Sequence, residues 1–242
     1  MITGIVVALP EELTTLTSKN IKKGGCAFIA DKLLVAYSGA GPINAQSAAE
    51  LLVAEGATRL MSWGCAAALS ASLKPGDLIL ADKLIDVGNV EMAINADWYS
   101  YAKNRLAKFV VVHGGCLAES INIVSSSTDK KQLHSITGAV ALDMESIAIA
   151  KVAKQYTIPF LAIRVIVDPV NMNLPLAINH SLNDRGEIVL GKLLSFLFLH
   201  PAELPGLIKL GLHFNAAKKT LKSIAKHLDK VTDFNYSNAT TL

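Results

Sequence analysis

The chain has 242 residues, of which 51% are hydrophobic, 18% charged and 6% aromatic, with a formal net charge of +3. This composition excludes a disordered chain, and so small a net charge gives no reason to expect a nucleic-acid partner. The length allows one large domain or two modest ones. The three cysteines, Cys26, Cys65 and Cys116, form no C-x-x-C pair, so we expect neither a disulfide framework nor a metal site.

Apolar segments of strand length alternate with segments of helical period along most of the chain. The expected strands cover residues 2–9, 32–37, 59–63, 77–81, 109–113, 139–144 and 159–167. The expected helices between them cover residues 42–55, which begin with Pro42, and residues 145–155. Alternating strands and helices with continuous apolar strands predict an α/β fold, in which helices cover both faces of the sheet.

The N-terminal segment is apolar, but it lacks a basic region and a cleavage site and is followed at once by Pro10. We therefore interpret it as a buried strand rather than a signal peptide. The longest uncharged stretch, residues 33–49, contains glycine, proline, asparagine and glutamine and is unsuited to crossing a membrane. These features predict a soluble, cytoplasmic protein.

From residue 191 the pattern becomes entirely helical. Three helices are expected, over residues 192–199, 202–212 and 215–230, with breaks at Pro201 and His213. We therefore divide the chain into a catalytic domain (residues 1–190), a helical extension packed on or beside it (191–232) and a polar tail (233–242).

The helical extension carries the basic excess of the protein, with seven lysines against three acidic residues from Lys192 onward. Four of these lysines recur every four residues and are expected to form one stripe: Lys218, Lys222, Lys226 and Lys230. Leu221 and Leu228 are expected on another face. Together with the apolar segment 193–199, the stripe predicts a peripheral contact with an anionic membrane. The alternative is that the apolar segment packs on the core or a second subunit while the lysines are merely solvated.

Three carboxylates follow expected strands: Glu12, Glu145 and Asp168. Ligands of covered α/β sheets bind at the carboxyl ends of the strands, so these side chains are expected to converge. The alternative for each is a structural role, because an acidic residue in a first helical turn is favoured by the helix dipole.

Small residues follow two of the expected strands, in the turns Ser38-Gly-Ala-Gly41 and Gly64-Cys-Ala-Ala-Ala68. Such turns let a ligand approach the backbone, whose N–H groups can hold a phosphate or an activated water. The first turn is not a dinucleotide fingerprint, because no third glycine follows at the required spacing. The alternative for both is close packing of a strand on a helix.

Taken in order, these segments resemble the nucleoside phosphorylase and nucleosidase superfamily, which includes methylthioadenosine/S-adenosylhomocysteine nucleosidase. The matching motifs are residues 4–12, 38–41, 64–69, 73–77, 143–146 and 164–168. Within that group the chain is most similar to the hopanoid-associated phosphorylase branch, through residues 137–146, 164–169, 173–175 and 193–205. The resemblance implies a three-layer α/β/α fold with a mixed central sheet and a C-terminal helical extension.

The resemblance also implies roles for the three carboxylates. Asp168 would act as the general acid that protonates the leaving base. Glu145 would bind the ribose hydroxyls, with Met144 beneath the sugar. Glu12 would activate the attacking water.

The same resemblance implies binding roles for five further residues. Gly41, Gly64 and Cys65 would form the loop that holds phosphate or water, and Val124 and Ser125 would line the base pocket. No metal or other cofactor is implied, and a homo-oligomer is expected.

The implied activity is cleavage of the N-glycosidic bond of an adenine ribonucleoside that carries a 5′ substituent, with adenosylhopane as the preferred candidate. We favour hydrolysis, because Ser62 stands where the phosphorylases place a phosphate-binding arginine and the chain has only four arginines. One alternative is phosphorolysis by the same site, with phosphate as co-substrate and ribose 1-phosphate as product. A second is a non-catalytic nucleoside-binding or membrane-associated accessory protein.

Overall fold

The computed structural model describes residues 1–181 and 190–234. Within them, eleven strands form one mixed sheet. The strands are β1 (Thr3–Val7), β2 (Cys26–Ala30), β3 (Leu33–Tyr37), β4 (Arg59–Ala68), β5 (Leu78–Leu80), β6 (Lys83–Ile85), β7 (Glu91–Ala93), β8 (Val112–His113), β9 (Cys116–Glu119), β10 (Ala141–Asp143) and β11 (Phe160–Asp168). The helices are α1 (Pro10–Leu16), α2 (Pro42–Ala54), α3 (Ala96–Leu106), α4 (Ser127–Thr137), α5 (Ser146–Gln155), α6 (Leu176–Ser181), α7 (Leu190–Leu199), α8 (Leu204–Ala225) and α9 (Leu228–Thr232), with a 3₁₀ turn at Pro201–Glu203.

Strand β4 is the centre of the sheet. It pairs in parallel with β1 through its first half and with β11 along nearly its whole length. Its last residues pair antiparallel with β10, and from there the sheet continues through β9, β6 and β7. From the first half of β4 the sheet runs through β1 and β3 to β2. The sheet is therefore mixed, as expected. Strands β1, β3 and β11 run in the same direction as β4, so they end toward the C-terminal end of β4, where the small residues lie.

Helices cover both faces of the sheet, which confirms the expected α/β/α arrangement. Side chains of α2 and α5 form one apolar core with the first face, including Leu52 and Ile149. Side chains of α1, α3, α8 and α9 form a second core with the opposite face, including Leu13, Trp98 and Leu221. The second half of the helical extension is therefore built into the main core rather than appended to it.

Several sequence-based boundaries are wrong, and each has a local cause. The strand expected to end at Trp63 continues to Ala68, because β11 and β10 supply hydrogen-bonding partners on both sides. Gly64 and Cys65 consequently lie within a strand and not in a turn. The helix expected over 202–212 and the first part of the one expected over 215–230 form a single helix, α8, which runs through His213 without a break. Pro205 is tolerated in its first turn, where the missing N–H would have no partner.

The expected basic stripe is also wrong in its second half. Helix α8 ends at Ala225, and Lys230 belongs to α9, where its Nζ lies 5.0 Å from the centre of the Phe109 ring. The apolar face is confirmed, since Leu221 and Leu228 are buried. The end of the expected polar tail, residues 235–242, lies outside the described residues, and the domain boundary at residue 190 adjoins the other such segment, residues 182–189. Among the described helices none could span a membrane singly; α7 and α8 meet the length and composition required only as a pair, across a bend of 109°.

Candidate functional site

Glu12 is placed by the connection from β1 to α1. Pro10 begins the helix, and the side chain of Glu12 in its first turn points back to the end of the strand. One carboxylate oxygen, Oε2, accepts hydrogen bonds from the backbone N–H groups of Ala8 and Leu9 at 3.1 and 3.0 Å. The other, Oε1, accepts one from the N–H of Cys65 at 2.8 Å. A carboxylate that is only 3% exposed is thus fixed across the middle of β4.

Gly64 is the residue over which Glu12 lies. A Cβ atom at this position would stand 2.4 Å from Glu12 Oε1 and 2.9 Å from Arg164 Nη1, far inside van der Waals contact. The register of β4 and β11 sets Gly64 directly beside Arg164. The absence of a side chain at Gly64 therefore makes room for a carboxylate and a guanidinium over the same short stretch of β4.

Glu145 approaches the same place from the C-terminal end of β4. Strand β10 runs antiparallel to the end of β4, with Leu142 opposite Ala67, so the chain that follows it returns toward Gly64. Glu145 Oε1 accepts a hydrogen bond of 2.9 Å from the N–H of Gly41, the residue that precedes α2. Gly41 has φ of 96°, a conformation that suits glycine and aims its N–H at the carboxylate.

Arg164 joins these groups. Its Nη2 donates to Ser62 Oγ at 2.6 Å and lies 4.0 Å from Glu145 Oε2, and its Nε forms a buried ion pair with Asp143. Asp143 in turn accepts a hydrogen bond from the N–H of Ser146 at 3.1 Å. The guanidinium is thus surrounded by Asp143, Glu145 and Glu12, so three carboxylates face one cation.

Burial dominates the electrostatics of this cluster. It raises the pKa of Glu12 above its usual 4.5, although Arg164 and the three backbone N–H donors act in the opposite direction. It raises the pKa of Glu145 to about 7, with a further contribution from Asp143. Burial alone would lower the pKa of Arg164, but the surrounding carboxylates outweigh it and raise that pKa. The cluster therefore combines a permanent cation with one acid, Glu145, that exchanges its proton nearer to neutrality than an ordinary carboxylate does.

Asp168 forms a second centre at the end of β11, paired with Lys130 of α4. Both carboxylate oxygens lie 2.6 Å from Lys130 Nζ, but only Oδ1 has hydrogen-bond geometry. Oδ2 is buried and has no hydrogen-bond partner among the described residues. Burial raises the pKa of Asp168 to about 6, and Lys130 moderates that rise. A buried carboxylate oxygen without a donor is a site where a ligand atom can bind.

The predicted site residues fall into two groups. Polar contacts join Glu12, Cys65, Glu145 and Gly41 through Arg164, whereas none of the described contacts joins Asp168 to that cluster. Arg164 and Asp168 are four residues apart on β11, at most about 13 Å along the strand. The separation is of the order of a nucleoside's length, so one ligand can reach both groups.

The remaining predicted residues lie beside this region. Met144 is half-buried between Asp143 and Glu145. Val124 is half-buried and packs against a small apolar cluster that includes Leu142. The carbonyl of Ser125 accepts a hydrogen bond of 2.9 Å from the N–H of Leu174, in the loop that follows Asp168. The segment with Val124 and Ser125 is therefore tied to the loop that adjoins the second centre.

Sequence reasoning gave no role to Arg164 or Lys130. Arg164 carried a usable signal, because it is the one charge inside the apolar run 160–167 and a buried charge needs a partner. Lys130 carried none, since it stands between Asp129 and Lys131 and looks like part of a solvated first turn. Only the tertiary contact shows that it is wholly buried. A groove of about 550 Å³ elsewhere on the molecule, lined by Arg59, Met92 and Phe160 among others, includes none of the predicted site residues.

The fold and the site together define an α/β protein with a carboxylate-rich centre at the carboxyl ends of its strands. The family model of the Phosphorylase superfamily matches residues 3–187, and the chain belongs to this superfamily.

Solved structures of similar fold come from several bacteria. The futalosine hydrolase of Helicobacter pylori strain 26695 is 21% identical, with a TM-score of 0.69 over 96% of this chain and 97% of that chain. A 5′-methylthioadenosine/S-adenosylhomocysteine nucleosidase of the same species is 21% identical, with a TM-score of 0.70 and the same coverage. That of Neisseria meningitidis, solved with methylthio-immucillin-A, is 21% identical, with a TM-score of 0.69 over 93% of this chain and 97% of that chain.

Proposed function

We propose that the protein is an enzyme that hydrolyses the N-glycosidic bond of an adenine ribonucleoside. The observation that carries the proposal is the placement of Glu12 and Glu145 around Arg164, each fixed by backbone N–H donors. Breaking this bond develops positive charge on the ribose and negative charge on the base. Preorganised carboxylates at the sugar and an acid at the base oppose both charges. Family membership and the nucleosidases of similar fold support the same reaction.

In this mechanism Glu145 accepts hydrogen bonds from the ribose hydroxyls, with Met144 beneath the sugar. Glu12 takes a proton from the attacking water while the water oxygen bonds to C1′ of the ribose. The backbone at Gly41, Gly64 and Cys65 borders the space that this water occupies. Asp168 presents its buried Oδ2 to the purine, whose pocket includes Val124 and Ser125, and donates the proton that lets the base leave as a neutral molecule.

Charge favours hydrolysis over phosphorolysis. The only cation that the described contacts place in the first cluster, Arg164, is matched by three carboxylates. A phosphate dianion entering there would meet net negative charge, whereas a neutral water molecule pays no such penalty. Phosphorolysis remains the alternative, and its product, ribose 1-phosphate, distinguishes it from hydrolysis.

The reaction is tested with 5′-methylthioadenosine, S-adenosylhomocysteine and adenosine, each with and without phosphate, followed by identification of the sugar product. We expect adenine and free sugar without phosphate. Glu12→Gln should abolish turnover while binding survives, and Glu11→Gln, at the exposed neighbouring position, is the matched control. Strict dependence on phosphate would overturn hydrolysis. No turnover of any adenine nucleoside, adenosylhopane included, would favour a binding protein instead.

The general acid is tested separately. Asp168→Asn should lower the rate about 10²- to 10⁴-fold, the usual contribution of general acid catalysis. The control is Asp129→Asn, at an exposed position of α4. A wild-type rate in Asp168→Asn would exclude Asp168 from the chemistry and leave the assignments of Glu12 and Glu145 intact.

We further propose that the 5′ substituent is a polycyclic hydrocarbon, as in adenosylhopane, and that the protein reaches it at the membrane surface. Large apolar side chains are exposed along α7 and the first half of α8: Leu194, Phe198, Leu199, Leu204, Ile208 and Leu212. Phe198 is 88% exposed. At 100° per residue, Lys219 and Lys222 project from α8 within about 80° of Leu204. One face of α8 is thus apolar in the first half of the helix and cationic in the second half, a pattern that suits an anionic bilayer.

The membrane proposal is tested by cosedimentation with vesicles of phosphatidylglycerol and of phosphatidylcholine. We expect salt-sensitive binding to the anionic vesicles only, weakened by Phe198→Ser and by Leu212→Ser. Val111→Ser, an equally exposed apolar residue of the catalytic domain, should bind as the wild type does. If the α7–α8 variants bind vesicles normally but turn an oligomer into a monomer by light scattering, this surface is a subunit interface and the proposal fails.

A further inference from the structure

Lys130 is a buried lysine whose surroundings are unusual for this residue type. Its side chain is 0% exposed, and its Nζ donates hydrogen bonds to Asp168 Oδ1 at 2.6 Å and to the carbonyl of Met172 at 2.8 Å. A longer hydrogen bond of 3.4 Å reaches the carbonyl of Pro169. Three acceptors around one nitrogen match the three N–H bonds of an ammonium group. The site therefore holds Lys130 charged and Asp168 ionised when no base is bound.

This arrangement creates a problem for the proposed reaction. A general acid must carry a proton, yet a carboxylate in an ion pair does not. The nearest proton available is on the Lys130 ammonium group, whose nitrogen lies 2.6 Å from Asp168 Oδ1. Solvent is a poor source, because Asp168 is 5% exposed and a purine bound against Oδ2 would cover it further.

We propose that Lys130 stores the proton that the leaving purine receives through Asp168. The proposal rests on the function given above, in which Asp168 is the acid. As the glycosidic bond breaks, an N–H bond of Lys130 breaks and an O–H bond forms on Oδ2 of Asp168, the oxygen that faces the purine and that also lies 2.6 Å from Lys130 Nζ. That O–H bond breaks as an N–H bond forms on the purine, which keeps the electron pair of the glycosidic bond. Lys130 is left as a neutral amine and Asp168 as a carboxylate.

The proton balance closes over one turnover. The attacking water loses one proton to Glu12. The cluster around Arg164 therefore gains one positive charge while Lys130 loses one. When the products leave, Lys130 takes a proton from solvent and Glu12 releases one. Lys130 thus acts through Asp168 and does not itself touch the substrate.

The physical basis is the cost of keeping two charges out of water. Burial disfavours the ammonium and the carboxylate alike, so the neutral pair lies closer in free energy to the ion pair than it would in solvent. In agreement, burial lowers the pKa of Lys130 while it raises that of Asp168, each change being partly offset by the partner. Over residues 1–181 and 190–234, no further charged group alters either pKa. Asp129 and Lys131, next to Lys130 on α4, are exposed.

The test compares the activities of two variants, Lys130→Arg and Lys130→Met. If Lys130 had a purely structural role, the arginine variant would keep more activity, whereas the proposal predicts that the methionine variant is the more active one at low pH. Lys130→Arg keeps a cation beside Asp168, but a guanidinium does not release its proton near neutrality. We expect this variant to lose at least about 10² in kcat for adenine release at every pH. Lys130→Met leaves Asp168 as a lone buried acid, which is protonated at low pH. This variant should be active there and lose activity at a lower pH than the wild type does. Lys131→Met is the matched control and should have the wild-type pH profile.

A riboside with a 4-nitrophenolate leaving group provides the second readout, since that group leaves without a proton. Its turnover should fall far less in both Lys130 variants than adenine release does, and circular dichroism confirms folding independently. Lys130→Arg with a wild-type rate, or Lys130→Met with a wild-type pH profile, overturns the proposal. If Lys130→Arg does not fold, the profile of Lys130→Met decides alone. A wild-type rate in Asp168→Asn would instead refute the acid of the proposed function, and the role of Lys130 with it.

Discussion

Gly64→Ala is a small change with a large expected effect, because its added methyl group would enter the space that Glu12 occupies. The new Cβ would lie 2.4 Å from Glu12 Oε1, so the carboxylate must retreat by about 1 Å to reach ordinary contact. A shift of this size breaks the hydrogen bond from Cys65 and moves the proposed base away from the water. Misplacement by 1 Å costs on the order of 10²-fold in rate, and overpacking costs about 1–3 kcal/mol of stability.

The assay is kcat/KM for adenine release, with urea unfolding of the same preparations. Gly211→Ala is the control, because nothing lies within 4 Å of its Cβ position on α8. A double variant sharpens the test. Glu12→Asp shortens the acid by one methylene and removes the clash, so Gly64→Ala should cost little when added to Glu12→Asp. A wild-type kcat/KM in Gly64→Ala, or full additivity in the double variant, would refute this account of how Glu12 is placed.

Two further predictions concern pH and the helical extension. Since burial raises the pKa of Glu145 from 4.5 to about 7, the folded protein binds its proton more tightly than the unfolded chain does, and this group lowers stability as pH rises across that window. Glu145→Gln should therefore gain stability relative to wild type between pH 4.5 and pH 7 in urea unfolding, and a constant difference would contradict the assignment. Leu221→Ala, at a buried position of α8, should cost about 2–5 kcal/mol, whereas Leu212→Ala, which is 63% exposed, should cost less than about 0.5 kcal/mol. Equal costs, measured as unfolding free energies, would show that α8 does not pack on the sheet as described.

The central sheet could be predicted because its strands are long apolar runs that need no distant partner to be recognised. Short strands such as β6 and β9 could not, since three or four residues carry too little periodicity. A similar limit explains why the end of β4 was wrongly predicted at Trp63. Whether a strand ends there or continues to Ala68 depends on β10 and β11, which are distant in sequence.

The candidate site shows a similar division. Glu12, Glu145 and Asp168 stand next to recognisable strands, so their positions at the ends of strands could be anticipated, although Asp168 lies in a centre of its own. The partners that set their charge could not. Lys130 reaches Asp168 across 38 residues, and its position in the sequence shows nothing of its burial. Hydrogen bonding between distant segments, and not local pattern, decides which polar residues lie inside.

The position of the site on β4 also bears on how the protein fluctuates. Gly64 and Cys65 lie in a long strand that pairs with β11 along nearly its whole length and is covered on both faces, and the N–H of Cys65 is bonded to Glu12, so the backbone there can open only when much of the sheet opens. Amide hydrogen exchange in β4 should therefore approach the rate of global unfolding, while surface helices exchange through local opening. Glu12, the proposed base, is hydrogen-bonded to this strand, so it and the site of its water would keep their geometry through every smaller fluctuation. The motions that admit substrate would then be confined to the loops around the site.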